Sequence, residues 1–384
     1  MIRYNQSLSM QMQKDTVKLT QYGTEIQLKR IPDEPRPGYF DPRESELLKH
    51  RATPFSDMSS GAAGHCTIEE IRSLMGFPNL NMNTAEIHTR FEEHDFGGNR
   101  VGIWIHWPRK PEEKKNRAGF IYLHGGGWVA GSPYFMENPC RLLAERADCV
   151  VFNIDYSLAP EKPYPNGLND CYRALGYIYA NAGKFGVDKT RIGIGGDSAG
   201  GNLAAACTVM DRDEGTRMLA YQALIYPAVT LSDTKIPEYA WRLEDYEMSE
   251  EQRSRIEPCL SLGRPAGEGK TSLRGVESMY LRNNENPDEP TISPMHAQSH
   301  RGLCKTLIAV AEFDGLRIQG EVYGKLLRRA GVDTRILRYK GVCHGFLERL
   351  GFIPQAEDLV EEIAKDLLAL SPGRNLLEKG GGQH

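Results

Sequence analysis

The chain has 384 residues, 40% of them hydrophobic, with 51 acidic and 47 basic side chains and a formal net charge of -4. That is enough apolar material for one large domain or two smaller ones, and the charge balance excludes the basic footprint of a nucleic-acid binder. No apolar run reaches the length of a membrane span, and the polar stretch Met1–Lys14 lacks the apolar core of a secretory signal, so a cytoplasmic protein is expected.

Residues 1–84 are polar, proline-bearing and weakly periodic. Only Thr67–Met75 stands out, as a short amphipathic helix with Thr67 as its cap. This segment is expected to pack as part of a cap on a core that later residues supply. From Ala85 the pattern turns strand-like. Ile87–Glu93 and Val101–Trp107 make a hairpin across the turn Phe96-Gly97-Gly98-Asn99. The run Arg109–Arg117 alternates both charge signs and reads as a solvated turn. Ala118–Leu123 and Cys149–Ile154 read as strands with a helix, Pro139–Ala147, between them. A helix follows from Asp170 to Asn181, then a strand through Arg191–Gly195. Asn202–Met210 is helix-compatible, and Ala220–Tyr226 is a strand ended by Pro227.

Residues 230–290 break this alternation. They carry no strong strand, are rich in charge, Gly and Pro, and are too long for a simple loop, so an inserted part of the cap is expected. Strand and helix then alternate again over Thr306–Phe313, Gly320–Ala330, Thr334–Tyr339 and Ala356–Leu370. Residues 373–384 form a glycine-rich tail expected to be disordered. Alternation over 85–229 and 291–372 predicts an α/β catalytic domain, with a mostly parallel sheet covered by helices on both faces.

The segment Gly196-Asp197-Ser198-Ala199-Gly200-Gly201 lies between a strand and a helix. That context makes Ser198 a candidate nucleophile on a sharp turn, with glycines at both flanks because side chains there would block it. A serine hydroxyl is a poor nucleophile near neutral pH and needs a base oriented by an acid. Four histidines lie downstream: His296, His300, His344 and His384. His344 follows a strand and sits among glycines, where a loop presents an imidazole above the sheet, so it is the candidate base. Asp314 follows Leu307–Phe313 directly and is the candidate acid, with Glu312 as its competitor. His124-Gly125-Gly126-Gly127 also follows a strand. Its glycines let backbone N–H groups approach developing negative charge, each donor being worth about 3–4 kcal/mol in the transition state. The Ala199 N–H supplies another donor. The glycine run lacks the lysine and hydroxyl of a phosphate loop and the spacing of a dinucleotide site, and His124 reads as a structural residue bonding the loop. Eight scattered cysteines show no metal-ligand spacing, so neither a metal nor a cofactor is expected.

These motifs together resemble the hormone-sensitive-lipase family of α/β-hydrolase esterases, family IV, in the branch with a GDSAG elbow. The resemblance covers Ile87–Leu370 and rests on HGGGW at His124–Trp128, DYSLAPE at Asp155–Glu161, GDSAGGN at Gly196–Asn202, Asp314, and HGF at His344–Phe346. It implies a nucleophile Ser198, base His344, acid Asp314 and oxyanion donors Gly125, Gly126 and Ala199. It also implies a mainly helical cap built from the two irregular segments. A homodimer through the last strand and helix is a further expectation, since some members form one. The departures are Ser157, where an arginine is usual, and Gly315-Leu316-Arg317-Ile318-Gln319 after the acid.

The activity implied is hydrolysis of a small-molecule carboxylic ester of short or medium acyl chain, acetyl esters included. An amidase, formamidase or acyltransferase would use the same triad. A non-catalytic ligand-binding homologue would have lost a triad member, and all three are present. Trp128 and Tyr134 are candidates for the pocket wall, with ordinary packing as the alternative. Tyr239, Trp241 and Tyr246 either face the pocket or hold the cap together. Cys343 adjoins the base, where a bulky thiol reagent would disturb His344.

Overall fold

A computed structural model of the chain describes residues 4–49, 67–108, 116–263 and 272–372. Most of the charged run after Trp107, His384 and the glycine-rich tail lie outside the described residues.

Ten strands form one sheet among the described residues. They are β1 (Thr16–Gln21), β2 (Thr24–Lys29), β3 (His88–Asp95), β4 (Arg100–Trp107), β5 (Arg117–Leu123), β6 (Val150–Asp155), β7 (Val187–Asp197), β8 (Tyr221–Ile225), β9 (Lys305–Phe313) and β10 (Thr334–Cys343). Their order is β1-β2-β10-β9-β8-β7-β5-β6-β4-β3. The centre, from β6 through β10, is parallel, and β3 and β4 close one side as an antiparallel hairpin. The helices are α1 (Ser7–Lys14), α2 (Pro42–Lys49), α3 (Ile68–Leu74), α4 (Glu137–Ala147), α5 (Asn166–Ala180), α6 (Ala199–Asp213), α7 (Ser272–Tyr280), α8 (Arg317–Arg329) and α9 (Pro354–Leu368), besides shorter helical turns.

Both faces of the sheet are covered, which is why the central strands read as continuous apolar runs. Successive side chains alternate between faces. Ile121, Leu123, Ile192, Ile194, Ile308 and Val310 join one core with Leu168 of α5, Leu203 of α6 and Val322 of α8. Phe120, Tyr122, Val151, Ala223 and Ala309 join the other with Leu142 of α4 and Leu359 and Ile363 of α9. Thr67 caps α3 through a capping box with Glu70. Within 230–290 the described residues hold no strand, only short helical turns and α7.

The N-terminal segment departs in part from the expectation that all of it packs as cap. β1 and β2 form a hairpin, and β2 runs parallel against β10 in the main sheet. The alternation Thr16-Val17-Lys18-Leu19 and the turn Tyr22-Gly23, both at positive φ, encode that hairpin. Its polar composition hid the burial of one cation. Lys29 Nζ is buried and bonds Asp358 at 3.1 Å and Glu362 at 2.9 Å on α9, and Met12 of α1 packs into the same side of the core. The early chain is therefore divided: residues up to Lys29 belong to the sheet body, and α3 reaches the functional site. The hairpin also bears on the expected dimer. β10 has β9 on one side and this chain's own β2 on the other, so its edge is not open to a second copy.

Lys29→Ala leaves Asp358 and Glu362 buried without this cation and is expected to cost about 3–5 kcal/mol. A lowered midpoint in chemical denaturation checks it.

Candidate active site

β7 ends at Asp197 and α6 starts at Ala199, so the chain reverses within one residue. That residue, Ser198, has φ 55° and ψ -116°, a conformation costly for a side-chain-bearing residue and kept only where the surroundings enforce it. The surroundings are the Ser198 N–H bonding Ile225 O of β8 at 2.9 Å and the end of β5 pressed against the turn. A Cβ on Gly196 or Gly200 would lie 2.3 or 2.0 Å from Leu123 O. No side chain fits at either position.

His344 follows β10 immediately. Its Nε2 stands 2.9 Å from Ser198 Oγ and its Nδ1 2.7 Å from Asp314 Oδ2. Asp314, fully buried after β9, spends its other oxygen on the Leu316 N–H at 2.9 Å. With Nδ1–H donating to Asp314, Nε2 is left to accept the Ser198 hydroxyl. The Tyr226 ring packs edge-on against the imidazole, centroids 4.9 Å apart. Burial works to lower the His344 pKa, but the charge and hydrogen bond of Asp314 outweigh it and hold it above the ordinary value. Glu312 is turned away: it accepts the Gly341 N–H at 2.8 Å and pairs with Lys340. His296 bonds Thr230 Oγ1 at 3.0 Å and His300 bonds Pro294 O at 3.2 Å, outside the site.

The glycine loop after β5 corrects one expected donor. The Gly125 N–H is already committed to Asp197 Oδ1 at 2.9 Å, and the Tyr122 hydroxyl donates to the same oxygen at 2.8 Å. Gly125 therefore anchors the loop and has no N–H to offer an oxyanion. The N–H groups of Gly126, Gly127 and Ala199 find no acceptor among the described residues. Gly126 has φ 123°, and a Cβ there would meet Ala130 O at 2.1 Å. His124 bonds Gly125 O at 2.8 Å and stacks on Tyr156, whose hydroxyl donates to His124 O at 2.6 Å. Burial pushes the His124 pKa down to about 4, so the ring is neutral and structural. Arg72 of α3 clamps the loop's far end: it bonds Val129 O at 2.8 Å and forks onto Glu161 at 2.7 and 2.8 Å.

Asp197, Tyr122 and Arg72 are the site residues that the sequence reading missed. The first was signalled only by its place in the elbow motif. Burial, with the charge of Glu348, pushes the Asp197 pKa up to about 7. Both carboxyl residues line a narrow cleft behind the loop, with Met75, Phe135 and Met136.

Neither expected pocket aromatic presents a free ring to Ser198. Trp128 is 1% exposed and lies flat on Tyr280 of α7, centroids 4.8 Å apart, so it joins cap to loop. Tyr134 is 65% exposed and packs on Trp104 of β4. In the insertion, the Tyr246 hydroxyl donates to Asp314 O at 3.0 Å and Trp241 Nε1 to Gly315 O at 3.1 Å. These rings hold the cap to the acid loop. Arg317 lies over the Tyr246 ring at 4.3 Å, and Gln319 Oε1 accepts the Val229 N–H at 3.1 Å. The unusual sequence after Asp314 thus serves the same junction.

A serine, an imidazole and a carboxylate in one hydrogen-bonded line, beside unspent backbone donors, can carry out acyl transfer. Among the described residues no group of His, Cys, Asp or Glu gathers as a metal site, and no helix is long and apolar enough to cross a membrane.

The family model for the alpha/beta hydrolase fold matches residues 120–348, and the chain belongs to that family. Relatives include an arylesterase of Saccharolobus solfataricus, 31% identical over 67% of this chain and 77% of the relative. A carboxylesterase of Mycobacterium tuberculosis is 32% identical over 67% of this chain and 75% of its own length. Among solved structures, a hyperthermophilic esterase from Pyrobaculum calidifontis superposes with a TM-score of 0.68 at 26% identity, covering 86% of this chain and 98% of that one.

Asp197→Ala frees Gly125 and lets the donor loop drift, and is expected to lower kcat by about 10²-fold. Asp197→Asn keeps an acceptor at the Oδ1 position and should retain most activity. Steady-state kinetics on the two variants separate anchoring from charge.

Proposed function

We propose that the protein is a serine carboxylesterase acting on small esters of short or medium acyl chain. The unbroken line Ser198 Oγ, His344 Nε2, His344 Nδ1, Asp314 Oδ2 carries this reading. The esterase names of the relatives support it.

In the proposed mechanism, His344 Nε2 takes the Ser198 proton as Oγ bonds to the acyl carbon. The carbonyl oxygen gains negative charge and receives N–H bonds from Gly126, Gly127 and Ala199. Collapse expels the alcohol, protonated by His344. Water then attacks the acyl-enzyme with His344 as base, and the acid leaves as Ser198 regains its proton. Asp314 keeps Nδ1 protonated and stabilises the imidazolium in both steps.

Ser198→Ala is expected to lower kcat on p-nitrophenyl acetate by about 10⁶-fold without a change in melting temperature. Retained turnover would remove Ser198 from the mechanism. An acyl-chain series on the same chromophore then reads the pocket: a steep fall beyond short chains means a closed acyl site.

The acid limb of kcat/KM gives a second check. The base must be neutral, and protonation as pH falls removes it. Because Asp314 holds the His344 pKa above 6.5, the midpoint should lie above that value. Asp314→Asn removes the charge that raises it, so the midpoint moves down while kcat falls by about 10⁴-fold.

Amide hydrolysis is the second reading. A mouse relative, 32% identical over 72% of this chain, is named an arylacetamide deacetylase. Comparing kcat/KM for phenyl acetate and acetanilide decides between the two, and the ester is expected to be the better substrate.

A further inference from the structure

The backbone that carries the base is gripped by two buried side chains that touch neither Ser198 nor Asp314. β10 ends at Cys343, and His344 comes next. Glu44 of α2, 299 residues before Cys343, accepts the Cys343 N–H at its Oε1 at 3.2 Å and the Cys343 thiol at 3.1 Å. Arg349, in the helical turn Phe346–Arg349 that follows the base, pairs with the same Oε1. Its Nη2 donates to His344 O at 3.3 Å. One pair therefore holds the chain on both sides of the His344 Cα, by the N–H before it and the carbonyl after it. Little else steadies the turn there: Gly345 has φ 77°, and a Cβ on it would touch nothing within 4 Å among the described residues.

Glu44 is itself fixed from two directions. The Asp41 N–H bonds Gly341 O of β10 at 2.8 Å, and Asp41 Oδ2 accepts Gln355 Nε2 of α9 at 2.9 Å. Arg255 of the insertion bonds the neighbouring Ser45 through Oγ at 2.8 Å and O at 2.7 Å, and Gln252 Oε1 accepts the Phe40 N–H at 2.8 Å. The start of α2 is thus braced against both the sheet body and the inserted part of the cap. Stability alone does not account for the pair. Glu44 is fully buried and Arg349 is 3% exposed, and all the hydrogen bonds of Glu44 fall on Oε1 while Oε2 is buried without a partner. A buried ion pair with an oxygen left over gains little over apolar side chains of similar volume. What those side chains could not supply is the grip on the two backbone groups.

We propose that Glu44 and Arg349 are positioning residues for the base, setting the His344 backbone so that its ring meets Ser198 and Asp314 at once. The ring must satisfy 2.9 Å to Ser198 Oγ and 2.7 Å to Asp314 Oδ2 together. Only two side-chain torsions separate it from the backbone, so a drift of the Cα is passed on to Nε2, and about 1 Å there costs about 10²-fold in rate. The N-terminal segment thereby reaches the base as well as the donor loop. The effect on turnover rests on the esterase reading above; the grip on His344 does not.

The test replaces the pair with apolar side chains, Glu44→Leu together with Arg349→Met, in the full-length protein. The melting temperature is expected to stay near that of the parent. On p-nitrophenyl acetate kcat should fall by about 10²-fold with KM little changed, as when only the transition state loses support. The downfield proton resonance of His344 Nδ1–H, hydrogen-bonded to Asp314, should shift or broaden. Arg349→Lys keeps a charge for Glu44 but loses the planar fork that also reaches His344 O, and a smaller loss in the same direction is expected. A folded double variant with parental kcat and resonance overturns the proposal, and so does a fall in kcat with the resonance unmoved. If the double variant does not fold, Arg349→Lys decides on the same two readouts. If the parent shows no esterase activity, the resonance still reports whether the pair holds His344, so the two readings fail separately.

Discussion

The contact of Leu123 O with the backbone of Gly196 and Gly200 is the constraint from which the site follows. It brings the end of β5 against the turn that holds Ser198 and leaves no room for side chains. Ser198 is forced into its positive-φ conformation with its hydroxyl above the sheet edge. The same approach places the loop after β5 beside the start of α6. N–H groups from two different elements, without an acceptor among the described residues, therefore lie near the Ser198 turn. A strain of this kind persists only because the sheet, helix and loop over-determine it.

The pieces of the cap are fastened to this machinery at separate points, each by a specific contact. Arg72 of α3 holds the far end of the glycine loop through Val129 O. Tyr280 of α7 stacks on Trp128, within that loop. Tyr246 and Trp241 bond the carbonyls of Asp314 and Gly315. Buried hydrogen bonds of this kind are costly to leave unmade. The cap is thus built into the walls that set the relay's geometry, and a change in its packing reaches the donors and the acid directly.

Much of this was legible in the sequence because short-range signals carried it. The hairpin β3–β4, strands β5 to β10 and the helices between them follow from apolar runs bounded by turn residues. The serine, histidine and aspartate each follow a strand, which made them identifiable in chain order. What escaped depends on contacts across the fold. The Gly125 N–H is taken by Asp197 from another strand, and no spacing reveals which of three consecutive glycines is spent. The N-terminal hairpin buries Lys29, a residue that reads as solvated until α9 supplies its carboxylates. Trp128 looked like a pocket wall because the ring that covers it, Tyr280, lies far along the chain.

Asp197 adds an electrostatic argument to its mechanical one. With a pKa near 7 it changes charge in the range where an imidazole is useful as a base, and its charge and that of His344 act on each other. Asp314, Asp197 and Glu348 all favour the imidazolium, the species that forms as Ser198 gives up its proton. In a buried site these charges act with little screening. Asp197, when ionised, therefore adds to Asp314 in raising the His344 midpoint that sets the acid limb. The geometry is insulated from this change. Asp197 accepts both of its hydrogen bonds at Oδ1, so a proton can occupy the other oxygen while Gly125 stays anchored. Charge at the site can vary with pH while the donor loop keeps its place.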